Sequence, residues 1–270
     1  ETPDAPFCLF VSWGPPHCPY RLAPQKHLEM YPPEDIELLP NALETSTLSF
    51  WQGEDEPSQE EIDRFKRKTI AGYYAHVTAL DACFGRLMAA LDEEGLADDT
   101  LVVFTSDHGD MLFGQDRGWK GKPWRESVGI PLVMRMPGRI PAGRVTGGPI
   151  GLVDMMPTML SLVGVEIPDQ VDGLDVSQFV CGDEDAAPES EFINFPCPPA
   201  WFSWREWRGV VTRTHTYARY CEEPWILYDD EADPFQLENL AHSPQHAELR
   251  CEMDALVDGW LERTGDSFET

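Results

Sequence analysis

Positive charge is what this sequence has least of. Lysine and arginine total 20 against 48 aspartates and glutamates, giving a formal charge of −28, and only five of the basic residues are lysines. Nucleic-acid binding depends on many basic side chains neutralising phosphates, so this balance argues against it. Long apolar runs are also missing. No stretch approaches the roughly 20 apolar residues that a membrane span needs. The seven cysteines include no Cys-x-x-Cys pair, so no zinc motif and no disulfide framework follow from them. The first residue is Glu1 rather than Met, so no leader can be read and the compartment stays open, as does the oligomeric state.

What is present is enough for a core: 42% hydrophobic residues and nine tryptophans in 270 residues. That length holds one large domain or two unequal ones. The most informative stretch is 101–131. Leu101, Val102, Val103 and Phe104 form a short apolar run suited to a strand buried on both faces. Asp107-His108-Gly109 follow it, where the carboxyl end of a strand in an open α/β sheet presents ligand-binding groups. Lys120 and Lys122 come next among glycines, then Glu126 and a second apolar strand over 130–134. Acid, imidazole and amine beside one sheet edge point to a metal site that handles an anion.

The order strand, Ser-Asp-His-Gly, Lys-Gly-x-Pro-x-x-Glu-Ser, Ile-Pro-Leu resembles the sulfatase family of the alkaline-phosphatase-like superfamily. Three further blocks carry the same resemblance. Residues 6–12 with Pro15 to Tyr20 look like the family's strand leading into Pro-Pro-His-x-Pro-Tyr. Residues 72–87 match its long helix. Leu227-Tyr228-Asp229 with Asp233-Pro234 and Glu238-Asn239-Leu240 look like its C-terminal segment. The resemblance implies an α/β fold: a sheet flanked by helices, a partial alkaline-phosphatase-like core, over 1–185, and a small antiparallel-sheet-plus-helix subdomain over 186–270.

It also implies roles. Asp107 and His108 would ligate one divalent cation, with calcium favoured and magnesium or manganese as alternatives. Lys120 would hold the sulfate group, and His17 would stand at the ester oxygen of the leaving group. Lys122 would extend the substrate-binding site or lie exposed. The implied substrate is a small-molecule or carbohydrate sulfate ester. A negative surface does not attract such an anion, so the cations of the site must outweigh the global field.

The family's nucleophile, a formylglycine made from Cys-x-Pro-Ser-Arg, has no counterpart here. Cys18-Pro19-Tyr20-Arg21 and Cys197-Pro198-Pro199 are the nearest strings, and neither fits. The expectation is therefore a C-terminal part of a longer enzyme, inactive by itself. Two rivals stand beside sulfate-ester hydrolysis: phosphonate monoester or phosphodiester hydrolysis in the same superfamily, and a non-catalytic, degenerate sulfatase-fold protein.

Local patterns complete the expectation. Residues 14–58 are proline-rich and irregular, read as a loop excursion over the active-site face. Ser58 and Glu61 have capping-box spacing before a long helix whose stripe runs Ile62, Phe65, Thr69, Tyr73, Val77, Leu80, Phe84, Leu87 and Leu91, ended by Gly95. Residues 145–153 suggest a short strand, and Asp154 then caps a helix with Pro157 in its first turn. Residues 192–195, 207–212, 216–220 and 226–228 read as strands, and 244–263 as a last helix capped by Ser243. Asp229-Asp230 looks like a metal pair but lies in a block that is structural in the family. Trp201, Trp204 and Trp207, with Phe202, are expected to seal an interface rather than bind a ligand.

Overall fold

The computed structural model describes residues 5–42, 57–196 and 205–268. It divides into two compact units, Glu1–Leu38 with Trp51–Glu94 and Leu39–Phe50 with Gly95–Thr270.

In the first unit a short helix, α1 (Gln25–Leu28), and single turns of 3-10 helix pack on the long helix α2 (Gln59–Glu93). The capping box forms as its spacing predicts. The Ser58 amide donates to the Glu61 carboxylate at 2.9 Å, and the Glu61 amide donates to the Ser58 hydroxyl at 3.4 Å. Gly95 ends the helix at φ +70°.

The buried face of α2 is not the expected stripe. It is Lys66, Ile70, Ala71, Ala75 and His76, while Tyr74, Val77 and Leu87 are exposed. Gly72 sets this rotation: a Cβ there would meet the Tyr20 carbonyl oxygen at 2.7 Å, so the N-terminal segment crosses the helix at that point. Tyr20 and Tyr31 then pack edge-on against Tyr73 and Tyr74. The sequence predicts a strand over residues 6–12, and they form none; Phe10 is 82% exposed. An apolar run becomes a strand only where a partner satisfies its backbone, and no described strand pairs with it.

In the second unit β1 (Val102–Thr105) pairs antiparallel with β2 (Leu132–Arg135), Val103 opposite Met134. β1 is half-buried rather than covered on both faces. Leu101, just before β1, and Met134 of β2 pack on Leu162, Val176 and Val180, from and around α4 (Leu152–Leu162) and α5 (Ser177–Val180).

Residues 145–153 form no strand before α4 begins at Leu152; Val145 is 95% exposed. Glycines in this segment serve close approach instead. A side chain on Gly148 would strike the Phe179 ring, and one on Gly151 would strike the Glu191 carboxyl. Gly151, not Asp154, is the N-cap. Asp154 sits one turn in, fully buried, and its carboxylate reaches back to the Gly151 amide at 3.1 Å and across to the Leu174 amide at 2.7 Å. Pro157 therefore falls beyond the first turn. The Val153 carbonyl that it cannot pair is the group against which Gly173 packs.

The C-terminal sheet runs β3 (Ser190–Phe195), β4 (Trp207–Thr212), β5 (His215–Arg219) and β6 (Pro224–Asp229), in that order and all antiparallel. One face packs under α6 (Ala247–Thr264) through Val210, Tyr217, Leu227, Met253 and Val257. The Ser243 hydroxyl lies at 3.0 Å from the His246 ring and does not cap α6. The other face buries Trp207, Ala218, Ile226 and Tyr228 with Met111 and Trp124 from the loop after β1. That second face is what positions the candidate site. No described helix is long and apolar enough to cross a membrane.

Candidate active site

β1 delivers Asp107 and His108 at its carboxyl end. The His108 amide donates to one Asp107 carboxylate oxygen at 3.1 Å, and His108 Nε2 lies 3.4 Å from the other. His108 Nδ1 is 2.7 Å from the Gly109 carbonyl, which leaves Nε2 as the nitrogen turned toward the carboxylate. The Asp107 side chain is 83% exposed.

Two donors that share one cation at about 2.1–2.5 Å stand about 3–3.5 Å apart when they occupy adjacent coordination positions. The Asp107–His108 spacing fits that edge. It is only part of a site, because among the described residues no group of three or more His, Cys, Asp or Glu side chains gathers to hold a metal.

Gly109 carries the chain sharply past a short helix, α3 (Arg125–Val128). Its amide donates to the Ser127 carbonyl at 2.8 Å, and a Cβ on Gly109 would lie on the Glu126 carbonyl oxygen. The next ten residues form a tight loop with Leu112, Phe113, Gln115 and Trp119 all at positive φ. Non-glycine residues adopt that conformation only where surrounding contacts hold it. Here the Met111 amide bonds the Trp119 carbonyl at 2.8 Å, and the Gln115 side-chain amide donates to the Gln236 carbonyl at 2.7 Å.

Lys120, half-buried, follows directly. Lys122 is buried, which removes the reading of it as a surface charge. Burial and the positive charge of Arg117 push its pKa down to about 8, and its ammonium lies 6.0 Å from the centre of the Trp225 ring. Trp207 closes the same corner, its ring N–H reaching the Gly121 carbonyl at 3.3 Å.

Glu126 is tied inward: the Asn41 side-chain amide donates to its carboxylate and, at 3.0 Å, to the Phe235 carbonyl. Neither Asn41 nor Gln236 lies in a motif that marks it as functional. The expectation for Asp229-Asp230 holds. Asp229 accepts from the Glu231 and Ala232 amides, and Asp230 from the Gln236 side chain and the Thr216 hydroxyl. Trp207 is buried in the core as expected; Trp201, Phe202 and Trp204, with Cys197 to Pro199, lie outside the described residues.

His17 belongs to the first unit. It sits exposed in a turn, its amide donating to the Gly14 carbonyl at 3.2 Å and its ring 2.9 Å from the Cys18 carbonyl. The structure brings Asp107, His108, Lys120 and Lys122 onto one strand end and its loop within the second unit.

A strand ending in an acid–imidazole pair, followed by a lysine-bearing loop, matches the pattern by which the sequence resembles the alkaline-phosphatase-like superfamily. The comparisons narrow the class. The sulfatase family model matches residues 1–165, and the model for the N-sulphoglucosamine sulphohydrolase C-terminal region matches residues 116–260. An ulvan-active sulfatase of Formosa agariphila is 34% identical over 99% of this chain and 50% of its own length. An arylsulfatase of Clostridium perfringens is 30% identical over 92% of this chain and 52% of its own. The crystal structure of a phosphonate monoester hydrolase of Agrobacterium radiobacter superposes with a TM-score of 0.78 at 25% identity, covering 97% of this chain and 57% of that one. The chain belongs to the sulfatase family. It spans about half the length of the curated relatives it matches.

Proposed function

We propose that this chain supplies part of the metal site and the anion-gripping lysine of a sulfate-ester hydrolase, working as the C-terminal part of a longer enzyme. The observation that carries the reading is the Asp107–His108 edge of 3.4 Å at the end of β1, followed by the braced loop that bears Lys120. Asp107 and His108 would hold a divalent cation, with further ligands from outside this chain, and the cation would supply Lewis-acid charge to the ester. Calcium is the favoured occupant; the imidazole donor keeps manganese open, and magnesium is the third alternative.

Lys120 adds a compact positive charge for the sulfuryl oxygens as negative charge builds in the transition state. His17 donates a hydrogen bond or a proton to the departing ester oxygen. The family's formylglycine nucleophile would come from outside this chain, so the 270 residues alone are inactive. The proposed division is a partial catalytic core over 1–185 and a small subdomain over 186–270 that braces the Lys120 loop.

Hydrolysis of an aryl sulfate by the full-length enzyme tests the reading, with loss on chelation and on Asp107→Ala as the expected result. The likeness to a phosphonate monoester hydrolase supports the second reading, hydrolysis of a phosphonate or phosphodiester ester at the same groups. Turnover of an aryl phosphonate well above that of the aryl sulfate would establish it.

A further inference from the structure

Lys120 stands between two residues at positive φ, Trp119 at +72° and Gly121 at +80°. Each of the two presents its carbonyl oxygen to a donor from elsewhere in the second unit. The Met111 amide donates to the Trp119 carbonyl at 2.8 Å, and the Trp207 indole N–H donates to the Gly121 carbonyl at 3.3 Å. The backbone is thereby held on both sides of Lys120. Both donors come from one packed body: Met111 is fully buried, Trp207 is 3% exposed, and they share a core with Ala218, Ile226 and Tyr228.

Trp207 is fixed in its turn. Its ring stacks on Phe195, its partner across β3 and β4, with centres 6.5 Å apart and planes 11° from parallel. Trp225 meets it edge-on at 6.3 Å. Its carbonyl accepts from the Arg208 guanidinium at 3.1 Å, and Arg208, 1% exposed, gives two further N–H groups to Asp266. Packing alone would be met by any flat ring in this slot. An indole N–H carried into such a core costs free energy unless it is bonded, and the Gly121 carbonyl is the group that bonds it. Trp119, a bulky residue at positive φ, stays there only while neighbouring contacts hold the loop.

We propose that Trp207 is the positioning residue for Lys120: its indole N–H fixes the backbone on the C-terminal side of the lysine, so that the ammonium is already in place when charge develops on the ester. The role rests on the sulfate-ester reading of Lys120. A preorganised charge is effective because it does not have to move during the reaction, and a small displacement of it costs rate. One side-chain N–H thus carries the C-terminal sheet's contribution to the site.

The test uses the full-length enzyme. Replacing Trp207 by benzothienylalanine keeps the two-ring stack and removes only the N–H; Trp207→Phe removes it with a smaller ring. In both, kcat for an aryl sulfate should fall about three- to tenfold with KM changed little. In a Lys120→Ala background the same replacements should cost nothing more, because no ammonium is left to place. Ile226→Val loosens the same core without touching Gly121. It should lower the melting temperature and leave kcat within about twofold of wild type. Amide hydrogen exchange over residues 119–122 should quicken in the benzothienylalanine protein and not in Ile226→Val.

Wild-type kcat in the benzothienylalanine protein, beside a crippled Lys120→Ala, would overturn the positioning role and leave the anion grip standing. A loss equally large in the Lys120→Ala background, or matched by Ile226→Val, would overturn it too, since either marks a general loosening. Wild-type kcat for Lys120→Ala would instead sink the sulfate-ester reading of that lysine, and the part of Trp207 in it, whatever the exchange rates show.

Discussion

The side-chain oxygen of Gln236 accepts the main-chain N–H of Arg125 at 3.0 Å, joining the C-terminal segment to the first residue of α3. Gln236 is 1% exposed and sits at φ +52°, a strained conformation for glutamine. Its amide nitrogen donates to Asp230 at 2.7 Å, and Asp230 takes the Thr216 hydroxyl at 2.7 Å. The chain Thr216–Asp230–Gln236–Arg125 therefore runs from the centre of the sheet to the base of the Lys120 loop.

Gln236→Ala should break both bonds and leave the Asp230 carboxylate and the Arg125 amide short of a partner. The expected cost is about 2–4 kcal/mol of stability, read as a lower melting temperature of the full-length protein. Gln236→Glu should be as damaging at neutral pH, because it replaces a donor to Asp230 with a second carboxylate, and should recover on acidification. Equal melting temperatures for wild type and both variants would show that the bridge carries no load.

Glu191 gives a pH dependence of defined sign. Burial raises its pKa most, helped by the Asp154 carboxylate with which it shares a hydrogen bond, to about 8 from 4.5; Arg263 opposes the shift. The folded protein then holds a proton on Glu191 that the unfolded chain releases above about pH 4.5. Stability falls as pH rises from there to about 8 and levels off beyond, by up to a few kcal/mol in all. Glu191→Gln keeps a donor to Asp154 without the charge. It should flatten this part of the melting-temperature profile and exceed the wild type at pH 9. A variant whose profile runs parallel to wild type between pH 5 and 9 would remove Glu191 as the cause.

Much of this architecture is written in local pattern. The capping box at Ser58, the four C-terminal strands, the Asp107-His108 turn and α6 follow from spacing of apolar residues and punctuation by glycine. The failures share a cause. Residues 6–12 and 145–153 are apolar enough for strands, but a strand needs a neighbour, and pairing is a long-range fact that composition does not carry. Of the two readings of Lys122, site extension or exposure, burial removes the second, and nothing near it in sequence announces its neighbour Trp225, about a hundred positions later. Asn41 and Gln236 are invisible for the same reason; their importance lies in bonds to Glu126, Phe235 and Arg125 that the fold creates.

The proposed metal edge makes a quantitative prediction. Two donors, Asp107 and His108, fall well short of the six to eight oxygen ligands calcium takes or the octahedral set magnesium demands. The 270-residue chain should bind either ion only weakly, with Kd above about 10⁻⁴ M, while the full-length protein binds far more tightly. Calorimetry on both settles it. Tight stoichiometric calcium binding by the short chain would mean that ligands other than these two complete the site.

Lys120 is the proposed anion grip. If it grips the sulfuryl oxygens, Lys120→Ala in the full-length enzyme removes a preorganised positive charge whose attraction grows as the ester bond breaks. Losing one such donor costs about 10²–10³ in kcat, roughly 3–4 kcal/mol. KM for an aryl sulfate should change far less, because the ground-state ester carries less charge on the oxygens it contacts. Lys120→Arg should recover only part of the loss, since a planar fork does not reproduce a compact ammonium in a braced loop. The Met111–Trp119 and Gln115–Gln236 bonds that hold the loop are main-chain or remote, so neither variant should lower the melting temperature by more than a few degrees. Near-wild-type kcat for Lys120→Ala, with an unchanged melting temperature, would place the anion grip elsewhere and take the proposed role of this loop with it.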